Sequence, residues 1–165
     1  LVFLGHLFGA DLPPVVPILC GSVDDALDDA ARPRDVPGAG PFVEALGQMV
    51  HGRAGRAFVI ASVDLAHVGP KYGDEKTSAE LLEDAVKHET ALIAALEAGD
   101  PAALWSEARR VENRHHVCGL SALGWLLEIL PPGTRGRLIG RDVMRDPQTS
   151  SSVGFAALAF FAPEG

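Results

Sequence analysis

The chain has 165 residues, of which 47% are hydrophobic, and its mean hydropathy is +0.16. This length and composition predict a single domain over residues 1–165 with one sizeable buried core. A formal net charge of -8 argues against a nucleic-acid surface, which needs a clustered excess of Lys and Arg. No apolar run reaches the roughly 18 to 20 residues of a transmembrane helix. We therefore expect a cytoplasmic protein without nucleic-acid or membrane partners.

Short apolar runs and loops alternate in the first quarter of the chain. Residues 1–10 are apolar and are interpreted as the end of a helix that leads into a loop. Val15–Cys20 is a second apolar run, and the proline inside it favours an edge strand or a bulged strand. Residues 24–40 are rich in Asp, Pro and Gly, which predicts a surface loop.

A helix and then a strand are predicted next. Four apolar residues at helical spacing indicate an amphipathic helix that ends near Gly52; they are Phe42, Ala45, Leu46 and Met49. The run Ala57–Ser62 is rich in β-branched residues and too short for a typical helix. It therefore predicts a buried strand.

Helix boundary signals are clear in the second half. Thr77 and Glu80 have the spacing of a capping box, which predicts the start of a long helix that Gly99 ends. Asp100, followed by proline, predicts a second helix that continues to about Arg110.

The last third predicts one more helix and a hairpin. Leu120–Leu130 is an apolar helical run that two prolines stop. Arg137–Met144 and Val153–Phe161 have the composition of strands, and the Pro and hydroxyl residues between them predict that the two strands pair.

Two polar residues follow the predicted strand Ala57–Ser62 directly. In open α/β sheets, ligands collect at the carboxyl ends of strands. Asp64 and His67 form a candidate acid/base pair there, because a carboxylate can orient an imidazole and stabilise its cation. The alternative is that Asp64 caps a turn and His67 is merely solvated.

The second candidate is Cys118, in the segment Arg114–Gly119. Because an apolar helix follows, Cys118 is predicted near a helix N-terminus, where the dipole favours the thiolate that binds metals or attacks electrophiles. The alternative is a buried thiol that acts as a small hydrophobic group. Cys20 is the other cysteine of the chain. Two cysteines are too few for a disulfide framework, although a single disulfide between them remains an alternative. The chain has no P-loop, dinucleotide fingerprint, H-E-x-x-H or G-x-S-x-G motif.

Several segments together resemble the Memo family. They are S-V-D-L-A-H-V-G-P-K-Y-G from Ser62, V-C-G from Val117, R-D-P-Q-T-S-S-S-V-G-F-A-A-L-A-F near the end, and L-V-F-L-G-H-L-F-G with V-V-P-I-L-C-G near the start. Memo-like proteins include the B component of the bacterial AmmeMemoRadiSam system. The family is similar in fold to the class III extradiol dioxygenases of the LigB type. The resemblance implies an α/β fold of three layers, α/β/α, with a central mixed sheet, of which this chain is the C-terminal portion.

The resemblance also implies roles for residues of the candidate site. Cys118 matches the family's cysteine metal ligand, His67 matches a pocket histidine that handles a proton, and Asp64 matches a nearby acidic position. The family's two N-terminal histidine ligands have no counterpart here, since His6 and His51 lie in different surroundings. We therefore expect iron or copper in the full-length protein and weak or no metal binding in this portion.

Two functions follow from the resemblance. The first is a non-haem metal-dependent redox enzyme of dioxygenase-like fold, in which Cys118 and His67 face a shared hollow. The alternative is a binding protein that holds a small molecule or peptide in the same cavity without turnover. A homodimer or a companion chain would supply the missing half of the fold.

Overall fold

The computed structural model describes residues 2–53 and 57–162, which contain five α-helices and three β-strands. Short 3-10 helices connect some of these elements. The helices are α1 Val2–Phe8, α2 Ala39–His51, α3 Ser78–Ala98, α4 Pro101–Arg110 and α5 Leu120–Ile129. The strands are β1 His67–Val68, β2 Arg135–Asp146 and β3 Ser151–Phe161.

The three strands form one antiparallel sheet in the order β1-β3-β2. β2 and β3 pair from Arg135 opposite Phe161 to Asp146 opposite Ser151, which confirms the predicted hairpin. β1 adds to the other edge of β3, with His67 opposite Val153. The sheet therefore places His67 on a strand that the hairpin holds.

α3 packs on the sheet, and α4, α5 and α2 extend the core from it. α3 contacts all three strands, α4 packs on α3, α5 packs on α4, and α2 packs on α5. Trp105 lies in the middle of this core without solvent exposure, and its indole N–H donates to the carbonyl of Ala30 at 2.9 Å. Helices packed on a β-sheet confirm the α/β class.

The sheet differs from the expected central mixed sheet, because the described strands are all antiparallel. For β2 and β3, the physical reason is the connection between them. Only residues 147–150 separate these strands, and a link this short can join antiparallel neighbours, whereas parallel strands need a crossover of a dozen or more residues.

The predicted helix boundaries of α3 and α4 are confirmed. The Glu80 carboxylate accepts from the backbone N–H of Thr77 at 2.9 Å, as in a capping box. Gly99 ends α3 with a φ of 63°, a conformation that favours glycine. The Asp100 carboxylate accepts from two backbone N–H groups in the first turn of α4. The predicted helices before Gly52 and from Leu120 are confirmed as well.

Two strand predictions were wrong. Residues 12–23, which include Val15–Cys20, and residues 57–66, which include Ala57–Ser62, have no regular secondary structure. A strand needs a neighbour to bond its backbone, and backbone pairing with β3 begins only where the N–H of Leu65 donates to Gly154. Phe58 is 89% exposed and Leu19 fully exposed, so neither run is buried. The helix predicted near the start is confirmed as α1, while Leu1 lies outside the described residues.

The longest described helix, α3, contains six Asp, Glu and Lys residues. Within residues 2–53 and 57–162, no helix combines the length and the apolar character needed to cross a bilayer.

Two histidines lie in the core where α3 meets the loop before α5. His88 and His115 are 1% and 3% exposed, and their ring centroids are 5.4 Å apart. Nδ1 of His88 donates to the Glu107 carboxylate at 2.9 Å. Among the described residues, neither Nε2 of His88 nor Nδ1 of His115 has a hydrogen-bond partner. Burial lowers the pKa of both imidazoles, that of His115 to about 4.

This pair should make the fold sensitive to acid. Because the pKa of His115 is near 6.5 when unfolded and about 4 when folded, the unfolded chain binds more protons between these values. The contribution of neutral His115 to the free energy of unfolding is therefore complete above pH 6.5. It is lost as the pH falls towards 4, by about 3 kcal/mol. Urea unfolding at a series of pH values should show this loss, and the loss should be smaller in His115→Leu. The exposed His6→Ala is the control, and an equal pH dependence in wild type and His115→Leu would contradict the assignment.

Candidate metal centre

Asp64, His67 and Cys118 meet at one place on the surface. Each of them contributes one potential ligand atom, and these atoms all lie within 4.8 Å of one another. They come from two segments that are distant in sequence, the approach to β1 and the loop before α5. The structure therefore brings together the three residues that the sequence singled out. His6 lies in α1, and Nε2 of His51 lies 2.9 Å from the carbonyl oxygen of Ile129; neither belongs to this group.

The ring of His67 is oriented by backbone carbonyl groups. Its Nδ1 lies 3.0 Å from the carbonyl oxygen of Leu65 and 3.1 Å from that of His116. Carbonyl oxygens only accept hydrogen bonds, so Nδ1 carries the proton and donates. In the neutral ring this leaves the lone pair on Nε2, which faces the Asp64 carboxylate at 3.8 Å. Nε2 is therefore the atom available to bind a metal or take a proton.

A second contact ties His67 to the same loop. Its backbone N–H donates to the carbonyl of His115 at 2.8 Å. Main chain and side chain of His67 therefore both bond to the loop that leads to Cys118. As a result, the His67 side chain is only 14% exposed although it lies at an edge of the sheet.

The loop that carries Cys118 is closed by Asn113. The Asn113 side chain accepts from the backbone N–H of Val117 at 3.1 Å and donates to the Asp24 carboxylate at 2.8 Å. Asn113 and His116 both have positive φ, 44° and 50°, a conformation that Asn and His adopt more readily than most residues. The loop ends with Cys118 exposed, one residue before Gly119, the N-cap of α5.

The Asp64 segment reaches this loop because position 119 has no side chain. A Cβ at Gly119 would lie 2.3 Å from Cβ of Val63, much closer than any real contact. Val63 precedes Asp64, so the close approach at Gly119 places the Asp64 carboxylate near Cys118. Glycine is therefore required here for space, not for an unusual φ.

The three donors fit a transition metal chemically. A thiolate, an imidazole nitrogen and a carboxylate oxygen together suit iron, copper or zinc. Asp64 is 57% exposed and Cys118 is also exposed, so the outer side of the group is open to a further ligand. Ligand atoms around one such metal are typically about 3 to 4 Å apart, which is slightly less than the upper limit of 4.8 Å on the separations of these three donor atoms.

Sequence reasoning missed part of this geometry. It assigned only Cys118 as a metal ligand, whereas Asp64 and Nε2 of His67 lie at a distance from which they can also contribute. It also missed the loop carbonyl groups, which leave no signal in side-chain composition. Asn113 had one signal, since asparagine tolerates positive φ and its side chain bonds readily to nearby backbone.

The comparison with protein families gives a match that includes all of these residues. The family model described as Memo-like protein matches residues 37–159, which is more than half of the chain. The chain belongs to the Memo-like protein family. The match extends from just before α2 into β3. The segments of this Memo-like protein in residues 1–21 that resemble the family lie outside the match. A search of curated proteins and a search of solved structures each find no match.

Adding a methyl group at Gly119 should separate the two halves of the centre. Gly119→Ala would force Val63 and Asp64 away from α5, with a loss of about 1 to 3 kcal/mol in the free energy of unfolding. The rate of Cys118 alkylation would measure the accessibility of the thiol, and urea unfolding would measure stability. The double variant Gly119→Ala/Val63→Gly removes the clashing Cβ and should return both quantities part of the way to the wild-type values. Unchanged alkylation and stability in Gly119→Ala would show that the close approach is unimportant.

Proposed function

We propose that this Memo-like protein is a non-haem metal-dependent redox enzyme with iron or copper bound at Cys118. The observation that supports the proposal is the meeting of Asp64, His67 and Cys118 donor atoms within 4.8 Å. Cysteine and histidine ligands suit both metals. A bound iron or copper ion would supply electron transfer and activation of O₂ or of a redox substrate.

The chain's own residues would handle the proton. Nε2 of His67 accepts a proton from the substrate, because Nδ1 is already occupied as a donor to two carbonyl groups. The carboxylate of Asp64, at 3.8 Å from Nε2, stabilises the resulting imidazolium. Since Asp64 and Cys118 are exposed, a small-molecule or peptide substrate can approach from that side.

Further metal ligands belong to the proposal. The family resemblance implies two histidine ligands besides the cysteine, and we propose that a companion segment or chain with Memo-like sequence supplies them. Without them, Asp64 and His67 are the donors closest to a metal at Cys118, and binding is expected to be weaker.

Metal uptake tests the role of Cys118. We expect the full-length protein to contain iron or copper after expression, and Cys118→Ser to lose most of it, since sulfur is the one soft ligand in the group. Elemental analysis of purified protein measures the content. Cys20→Ser is the matched control because it removes the other thiol, which lies outside the group. A metal-free wild type, or equal metal content in Cys118→Ser, would contradict the proposal.

The role of His67 is separable from metal binding. In the full-length protein, where the two further histidines would hold the metal, His67→Ala should abolish O₂ consumption with a catechol or a reductant while the metal content is retained, because His67 then acts as the proton acceptor. The exposed His6→Ala should keep both. Loss of metal together with turnover in His67→Ala would instead make His67 a ligand, and metal-loaded wild type without turnover would favour the binding protein.

A further inference from the structure

A buried carboxylate lies directly behind the strand that carries His67. Glu89, on α3, is only 2% exposed. Its Oε1 accepts from the backbone N–H of Ala66 at 3.0 Å, and its Oε2 lies 3.1 Å from a guanidinium nitrogen of Arg141. Ala66 immediately precedes His67. The carboxylate therefore acts on the peptide group next to the candidate acid/base residue.

Gly154 on β3 makes room for this carboxylate. A Cβ at position 154 would lie within bonding distance of Oε1 of Glu89, so no side chain can be placed there while Glu89 keeps its position. Gly154 also forms hydrogen bonds with the segment just before β1. Its N–H donates to the Ala66 carbonyl at 2.8 Å, and its carbonyl accepts from the Leu65 N–H at 2.9 Å. Ala66 is thus held through its N–H by Glu89 and through its carbonyl by Gly154.

A buried carboxylate at this position has a free-energy cost that its partners offset. Burial raises the pKa of the Glu89 carboxyl above its ordinary value, against the opposing effects of the Ala66 N–H and Arg141. Arg141 is itself held in place, because its guanidinium also donates to the carbonyl of Val86 and the hydroxyl of Thr90. An uncompensated buried charge would be strongly destabilising, and the Ala66 N–H and Arg141 compensate this one.

We propose that Glu89 is a positioning residue for the candidate centre, and that its carboxylate fixes the Ala66 peptide and thereby directs Nε2 of His67 towards Asp64 and Cys118. The inference rests on the proposed function, since metal and proton binding at this group are what the positioning serves. Residues that orient the groups of a metal site typically change metal affinity by about 10- to 100-fold when replaced.

A purely structural role for Glu89 is distinguishable because the chain contains a matched control. Glu128, on α5, has a side chain without solvent exposure that is paired with Arg32 and Arg34 at 2.8 and 2.7 Å. It is a buried carboxylate with arginine partners, like Glu89, but its hydrogen bonds go to the loop before α2 and to none of the candidate site residues. Replacing either carboxylate by leucine leaves the arginine partners without a carboxylate and should lower stability.

The experiment is a Co²⁺ titration of the 165-residue chain, in which Asp64, His67 and Cys118 are the candidate donors. Binding is followed by the sulfur-to-cobalt charge-transfer band and the visible ligand-field bands. In Glu89→Leu we expect affinity to fall by roughly tenfold or more with altered ligand-field bands. Glu89→Gln keeps an oxygen acceptor for the Ala66 N–H and should recover to within about threefold of wild type. Glu128→Leu should keep wild-type affinity and bands. Wild-type behaviour of Glu89→Leu, or equal losses in Glu89→Leu and Glu128→Leu, would overturn the inference.

A readout without metal separates this inference from the proposed function. If wild type binds no Co²⁺, the proposed function fails, and the ¹⁵N NMR shifts of the His67 ring at pH 8 decide the positioning role. Wild type should show the tautomer protonated at Nδ1, and Glu89→Leu should show a mixture of tautomers. Should Glu89→Leu not fold, Gly154→Ala displaces the same carboxylate and should have the same effect. An unchanged tautomer in the folded variant would refute the role of Glu89.

Discussion

The hydrogen bonds from Nδ1 of His67 to two backbone carbonyl groups are the constraint on which the candidate centre depends. One carbonyl, that of Leu65, belongs to the approach to β1, and the other, that of His116, belongs to the loop before α5. The same contact therefore selects the tautomer and joins the two segments. Since both acceptors are backbone groups, the orientation of the ring follows from the fold itself.

The fold maintains this contact from both sides. On one side, the hairpin of β2 and β3 holds β1 in register, with His67 opposite Val153. On the other, Asn113 closes a loop in which three residues, Glu112, Asn113 and His116, have positive φ, a conformation that persists only where surrounding contacts determine it. Gly119 then allows the two segments to approach. The site is thus placed by a few local contacts on a well-packed helical core.

Much of the fold could be predicted from the sequence where the signal is local. The capping box at Thr77, the helix end at Gly99 and the N-cap at Asp100 depend on residues a few positions apart. Ala57–Ser62 had the composition of a strand, but strand formation depends on a partner edge that no local pattern reveals. Asp64, His67 and Cys118 were identifiable by residue type and resemblance. The carbonyl acceptors and the space at Gly119 were not, because they arise only when distant segments meet.

The coordination of a bound metal is the most direct test of the central claim that Cys118 binds the metal of this centre. X-ray absorption spectra of the iron- or copper-loaded protein would resolve the donor atoms around the metal. The account predicts one sulfur at about 2.3 Å together with nitrogen or oxygen donors at about 2.0 to 2.1 Å. A first shell of nitrogen and oxygen alone, with no sulfur, would contradict it.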